Sequence, residues 1–280
     1  MPVGIPGLDA IDRQRAAENF PVALRVLPRA VRTDLIAIYG FARLVDDIGD
    51  EYEGDRVAAL DWLEHDLDAA VAGAATHPVL VRLTPTIRRR HLDLQPFRDL
   101  IEANRRDQTQ TRYATLDDLL DYCRLSANPV GRLVLAVFDV DDPESRRLSD
   151  DVCSALQVVE HLQDVAEDWR AGRVYLPQED LATHGCSEAD LAAGTASPAL
   201  RQVVALECER ARQMLHSGRP LTKRMRGWAR ITLAGFVAGG EATIDAIEAA
   251  RFDVLGVDCR PQHRRVARHA TSLLVGRAPA

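Results

Sequence analysis

Apolar residues recur at helical spacing through almost every long segment of this 280-residue chain, and no segment keeps the strict alternation of a half-buried strand. Leu35, Ile36, Ile38, Tyr39, Ala42 and Val45 make one such face, and Leu60, Leu63, Leu67 and Val71 another. The run 134–138 is the nearest approach to a strand signal. Helix punctuation falls between these faces. Pro96 suits a first helical turn. Thr115-Leu116-Asp117-Asp118 has the form of a capping box, and Ser187-Glu188-Ala189-Asp190 offers another start. Pro78 and Pro85 punctuate their region, and Asn128-Pro129 predicts a kink or break because proline removes a backbone donor. After the turn at 141–144 a long helix is expected to run to about Trp169, followed by a loop at 172–177. Pro198 and Pro220 bracket a further helix, and residues 221–250 supply the last long helical material. The pattern predicts an all-α fold, one bundle of helices around a central cavity.

Two acidic pairs stand out on that background. Asp46-Asp47-Ile48-Gly49-Asp50 and Asp164-Val165-Ala166-Glu167-Asp168 each place two aspartates four residues apart. On a helix that spacing puts both carboxylates on one face, roughly 6 Å apart along the axis. Like charges so placed repel by a few tenths of a kcal/mol on an exposed helix. Two such pairs on separate apolar helices predict a cation between them. Mg²⁺ fits, since it takes oxygen ligands, keeps several waters and bridges one or two carboxylates to substrate phosphates.

The surroundings extend both pairs. Arg43 lies three residues before Asp46, within reach of the carboxylates or of a diphosphate. Gln157, Glu160, Asp164 and Asp168 form one stripe at steps of three to four residues. Arg173 and Tyr175 follow in the Gly172–Pro177 loop, placed to close over a phosphate.

Composition removes several classes of function. A formal net charge of −7 argues against a nucleic-acid partner. Five scattered cysteines, none in a CxxC pair, fit a reducing compartment. The N-terminus lacks the apolar core of a signal peptide. The late apolar stretch 231–247 is interrupted by Gly235, Gly239, Gly240, Glu241 and Asp245, which makes it a poor membrane span. A cytoplasmic protein is expected, and the basic segment from Arg260 to His269 offers contact with the inner face of an anionic membrane.

AIYGFARLVDDIGDE (37–51), DYCRLSANPVG (121–131), ALQVVEHLQDVAEDWRAGRVYLP (155–177) and EATIDAIEAARFDVL (241–255) together resemble the squalene/phytoene synthase family, in family order and over nearly the whole chain. The resemblance implies an isoprenoid synthase fold spanning 1–255, with 256–280 as a basic C-terminal tail. It assigns Asp46, Asp50, Asp164 and Asp168 to Mg²⁺ and diphosphate, with Glu160 a candidate third ligand of the second cluster. Tyr39, Arg43 and Gln157 fall on family active-site positions, with Arg124, Arg173 and Tyr175 as candidate diphosphate and substrate contacts. Phe20, Phe41 and Tyr122 are candidate linings for a carbocation path.

Departures from the wider family are local. Ala17-Glu18-Asn19-Phe20-Pro21 replaces a Ser-Lys-Ser-Phe-like segment, Glu160 replaces an asparagine and Gln163 an arginine. Arg124 replaces a tyrosine, and Asn128-Pro129 a glycine. These features resemble the hydroxysqualene synthase branch of bacterial hopanoid pathways. The implied reaction is Mg²⁺-assisted ionisation of presqualene diphosphate and capture by water, with no need for NADPH and with hand-over to or from other enzymes of the pathway. The rival within the fold is condensation of two prenyl diphosphates to presqualene diphosphate, phytoene or dehydrosqualene. The rival of another class is a non-catalytic assembly subunit, against which the complete aspartate pairs argue.

Overall fold

The computed structural model describes Pro2 and residues 4–17 and 27–275. Among the described residues the secondary structure is helical, and the one β-bridge joins Arg112 to Val174. In chain order the helices are α1 Leu8–Ala17, α2 Arg29–Asp50, α3 Arg56–Ala72, α4 Pro78–Arg90, α5 Gln95–Arg106, α6 Leu116–Ser126 and α7 Asn128–Val137. They continue as α8 Pro143–Gln163, α9 Val165–Arg170, α10 Gln178–Thr183, α11 Glu188–Leu191, α12 Pro198–Gly218, α13 Leu221–Arg224, α14 Gly227–Ala249 and α15 His263–Val275. The chain divides into two compact units, residues 1–110 with 129–141, and residues 111–128 with 142–280.

In the first unit, α2 carries the core. Leu35, Ile38, Phe41, Leu44, Val45 and Ile48 repeat at three- and four-residue steps and are all buried. Phe41 meets Phe97 of α5 edge-to-face, with centroids 5.0 Å apart. Both ends of α3 are capped: the Asp55 side chain accepts from the Ala58 amide, and Gly73 adopts a left-handed conformation. Pro96 occupies the first turn of α5, as its sequence context predicts. Pro85, in contrast, does not interrupt α4. It lies on the exposed face, where water can satisfy the carbonyl that proline leaves without a donor.

In the second unit, α8 packs chiefly on α12, and α14 on α15. Asp142 caps α8 by accepting from the Ser145 amide and hydroxyl at 3.1 and 2.7 Å. The expected capping box opens α6: Thr115 and Asp118 exchange backbone-to-side-chain bonds at 3.0 and 3.2 Å. The predicted break follows at Ala127, between α6 and α7. All five cysteines are free.

One expectation changes. The helix expected to reach Trp169 is interrupted at Asp164, where α8 ends and α9 begins. Asp164 has φ −100° and ψ 9°, the near-bridge conformation that a short polar side chain tolerates better than a helix interior. The Asp168 amide still donates to the Asp164 carbonyl at 2.8 Å, so the four-residue spacing of the pair survives the bend. Part of the basic segment near the C-terminus is helical. Residues 263–275 form α15, whose Arg265, Arg268 and His269 gather on Asp245 of α14 at 3.4, 3.2 and 3.0 Å. His269 is the buried residue of α15, and it lies against α14 through Asp245. Among the described residues no helix is long and apolar enough to cross a membrane.

Candidate functional site

The first acidic pair sits at the C-terminal end of α2. Asp46 and Asp50 project to the exposed side, while Asp47 between them is buried. Asp46 keeps access to solvent, yet protein crowds it closely. That desolvation pushes its carboxyl up to about 7, against a lowering hydrogen bond from Asn104 and with a further rise from the Asp50 charge. Asn104 Nδ2 donates to Asp46 Oδ1 at 3.3 Å. Gly49 makes this approach possible: a Cβ there would lie 2.0 Å from Asn104 Oδ1. Gln108 adds a donor to the Gly49 carbonyl at 3.1 Å.

Arg43 turns to the buried member of the motif. Its Nε lies 2.7 Å from Asp47 Oδ1, and its Nη2 lies 3.1 Å from Glu51 Oε1. Burial raises the Asp47 carboxyl, and the Arg43 charge opposes that rise. Tyr39 is partly buried against the core, and Phe41 is wholly inside it. Phe20 lies outside the described residues.

The second cluster straddles the α8–α9 bend. Asp164 is pushed up to about 6, first by desolvation and then by Glu160, Asp168 and Glu167. Glu160 is raised as well, mainly by desolvation. Asp168 Oδ2 is buried without a hydrogen-bond partner. Tyr175 stacks on His161, with centroids 3.7 Å apart and planes 9° from parallel. Tyr113 stacks behind Tyr175 at 5.5 Å, and Tyr122 leans on both at 5.4 and 5.8 Å. A recess within this unit is lined by His161, Val165, Asp168, Arg173, Tyr175 and Leu191. Gln157 reaches His161, their Nε2 atoms 3.2 Å apart.

The loop after α9 is fastened from behind. Arg112 Nε and Nη2 grip both oxygens of Glu188 at 2.6 and 3.0 Å, and Nη1 donates to the Gly172 carbonyl at 2.7 Å. The same guanidinium lies 6.0 Å from the Trp169 ring centroid. Gly172 has φ +82°, a turn conformation that glycine adopts without steric cost. Arg124 is exposed and pairs with Asp121 on its own helix. Gln163, at the position where the wider family has arginine, donates to the Cys259 carbonyl at 3.1 Å and so anchors the end of α8.

The structure thus brings Gln157, Asp168, Arg173 and Tyr175 together around His161, and Asp46 together with Asn104. Arg43 and Arg124 engage acidic neighbours on their own helices. No motif in the sequence marks Asn104, Arg112, Tyr113 or His161 as part of the site. The glycine within the first motif is the one local sign of a close approach there. His161 is flagged by its i+4 relation to Gln157, while nothing local marks Arg112.

Among the described residues no three His, Cys, Asp or Glu side chains form a ready-made metal cage. Mg²⁺ does not require one, because waters and substrate phosphates complete its octahedron. The orphaned Asp168 oxygen and the desolvated carboxylates that raise one another at Asp164 fit a cation better than empty solvent.

A family model described as squalene/phytoene synthase matches residues 13–270. Hydroxysqualene synthase of Rhodopseudomonas palustris is 36% identical over 213 residues, which cover 75% of this chain and 72% of the relative. The 15-cis-phytoene synthase of Synechococcus elongatus is 32% identical over 254 residues, covering 86% and 82%. The crystal structure of squalene synthase HpnC from Alicyclobacillus acidocaldarius superposes with a TM-score of 0.82 at 43% identity, covering 87% of this chain and 94% of that one.

Proposed function

Because this chain belongs to the squalene/phytoene synthase family, whose enzymes share an all-α isoprenoid synthase fold and act on prenyl diphosphates, we propose that it converts presqualene diphosphate and water to hydroxysqualene and diphosphate. The observation that carries this reading is the two helix-borne carboxylate pairs, Asp46 with Asp50 and Asp164 with Asp168, each containing one carboxyl raised by desolvation, Asp46 and Asp164. The similarity to hydroxysqualene synthases at 36 and 38% identity, and to HpnC at 43%, supports the choice of substrate.

Asp46, Asp50, Asp164 and Asp168 hold Mg²⁺ in this reading, with Glu160 extending the second set by a turn. Bound Mg²⁺ supplies neutralisation of the departing diphosphate. The protein's own groups do the rest. Arg173 offers charge to the phosphate oxygens beside Asp168, and Tyr39 and Gln157 orient the substrate head. Tyr122 offers an aromatic ring that favours a passing carbocation, while Tyr175, stacked between His161 and Tyr113, stiffens the wall beside Asp168. One C–O bond to diphosphate breaks, one C–O bond to water forms, and the water's proton is released. No hydride is consumed, so NADPH has no part. A product this apolar leaves toward a membrane surface or a successor enzyme.

The similarity to phytoene synthase over most of the chain favours one second reading, condensation of two prenyl diphosphates. Purified protein with Mg²⁺ is given presqualene diphosphate or farnesyl diphosphate, with and without NADPH. Hydroxysqualene from the first substrate without reductant is the expected product. Efficient consumption of farnesyl diphosphate alone would replace this reading with condensation.

A further inference from the structure

His161 belongs to neither acidic motif, but three contacts fix its imidazole. One face lies on Tyr175 at 3.7 Å, and Tyr175 is backed by Tyr113, so the ring ends a three-ring stack and cannot turn without disturbing it. At one edge, Nε2 stands 3.2 Å from the Gln157 amide nitrogen. With the amide nitrogen turned to it, Nε2 takes the acceptor role, and the tautomer that fits this contact carries its proton on Nδ1. At the other edge, Nδ1 lies 3.9 Å from Asp168 Oδ2, the buried oxygen that has no hydrogen-bond partner. That distance is too long for a hydrogen bond, but it places a fixed N–H dipole beside an orphaned carboxylate oxygen.

We propose that His161 is a positioning residue: clamped by Gln157 and Tyr175, it aims its Nδ1–H at Asp168 and holds that carboxylate in the orientation in which it takes a divalent cation. The proposal rests on the metal role assigned to Asp168 above. Groups behind a ligating carboxylate commonly change metal affinity by ten- to a hundredfold when removed. His161 reaches no substrate atom in this role, so its loss acts through cation affinity.

The test uses the full chain with Mg²⁺ and inorganic diphosphate as probe, read as the Mg²⁺ concentration giving half of the maximal thermal shift. His161→Phe keeps a flat ring on Tyr175 and loses the N–H. His161→Asn places an amide donor near the position of Nδ1. The phenylalanine variant is expected to melt like the wild type without metal and to need about tenfold more Mg²⁺ for half of the shift. With presqualene diphosphate, its kcat at saturating Mg²⁺ returns to within about threefold of wild type, and the asparagine variant stays within about threefold in Mg²⁺ requirement. Unchanged Mg²⁺ dependence in His161→Phe overturns the proposal. Should that variant not fold, His161→Ala is set against His161→Asn, and equal Mg²⁺ requirements overturn it likewise. A wild-type protein that shows no Mg²⁺-dependent shift overturns the metal reading itself, a result separable from failure of the His161 role.

Discussion

The two acidic clusters share a spacing but are held by different means. In the first unit the carboxylates ride an uninterrupted helix and are attended by polar partners: Asn104 on Asp46, and Arg43 on the buried Asp47 between them. In the second unit the helix bends at Asp164, whose carboxyl is raised by desolvation and by the neighbouring charges of Glu160, Asp168 and Glu167. Their neighbours there are rings, His161 and Tyr175, and one oxygen of Asp168 is left without a bond. Both clusters hold a carboxyl raised by desolvation, but the first gives its carboxylates hydrogen-bonding partners while the second leaves one oxygen of Asp168 without any. A cation should therefore matter more to the conformation of the second than to that of the first.

The largest expected effect removes this contrast by disabling either side. Asp50→Ala and Asp168→Ala should each lower kcat by about a thousandfold or more, since each takes a carboxylate from charge stabilisation of the leaving group. Circular dichroism should stay close to wild type in both. Full activity in both variants would remove the metal assignment from both clusters.

Next comes the polar support of the first cluster. Gly49→Ala drives a methyl into Asn104 and should cost about 1–3 kcal/mol in denaturant unfolding, with a loss of activity. Adding Asn104→Ala should restore part of the stability, because it removes the two shortest contacts, Oδ1 at 2.0 Å and Cγ at 2.9 Å, and leaves only Cβ at 3.2 Å. A double variant no more stable than Gly49→Ala would refute the role given to Asn104. Arg43→Ala is expected to cost about 2 kcal/mol by leaving Asp47 buried without its cation, a value below the range for a fully buried pair because Arg43 is partly exposed.

Proton linkage sharpens the comparison in metal-free protein. Asp46 and Asp164 are raised in the folded state from 3.8 to about 7 and about 6. The folded chain then holds more protons than the unfolded one between pH 4 and those values. The contribution of each group is favourable below its unfolded pKa and is lost as pH rises through the folded one. In EDTA, Asp46→Asn and Asp164→Asn should each gain Tm relative to wild type as pH rises from 5 to 7.5, with the Asp164 gain complete about one pH unit earlier. A constant difference across that range would contradict the desolvation of these carboxylates. The smallest effect lies outside both clusters: Gln163→Ala should cost about 1 kcal/mol by releasing its bond to Cys259, as read from urea unfolding.

The sequence exposes much of this because helix periodicity, capping residues and the two aspartate spacings are local signals. The Thr115 capping box, the break before Asn128 and the loop at 172–177 all form as their residues dictate. The rest depends on contacts distant in sequence. Asn104 meets Asp46 across 58 positions, and Arg112 reaches Glu188 across 76, so no window of residues contains either pair. The bend at Asp164 is hidden because its spacing is equally compatible with a straight helix. The docking of the basic segment near the C-terminus is hidden for the same reason: its partner, Asp245, lies 24 residues before His269.

The most direct measurement of the central claim is made in H₂¹⁸O. Presqualene diphosphate is turned over with Mg²⁺ and without NADPH, and the product is weighed by mass spectrometry. Ionisation followed by water capture predicts hydroxysqualene carrying one ¹⁸O per molecule beside unlabelled diphosphate. An oxygen-free hydrocarbon, or an alcohol without label, would contradict it.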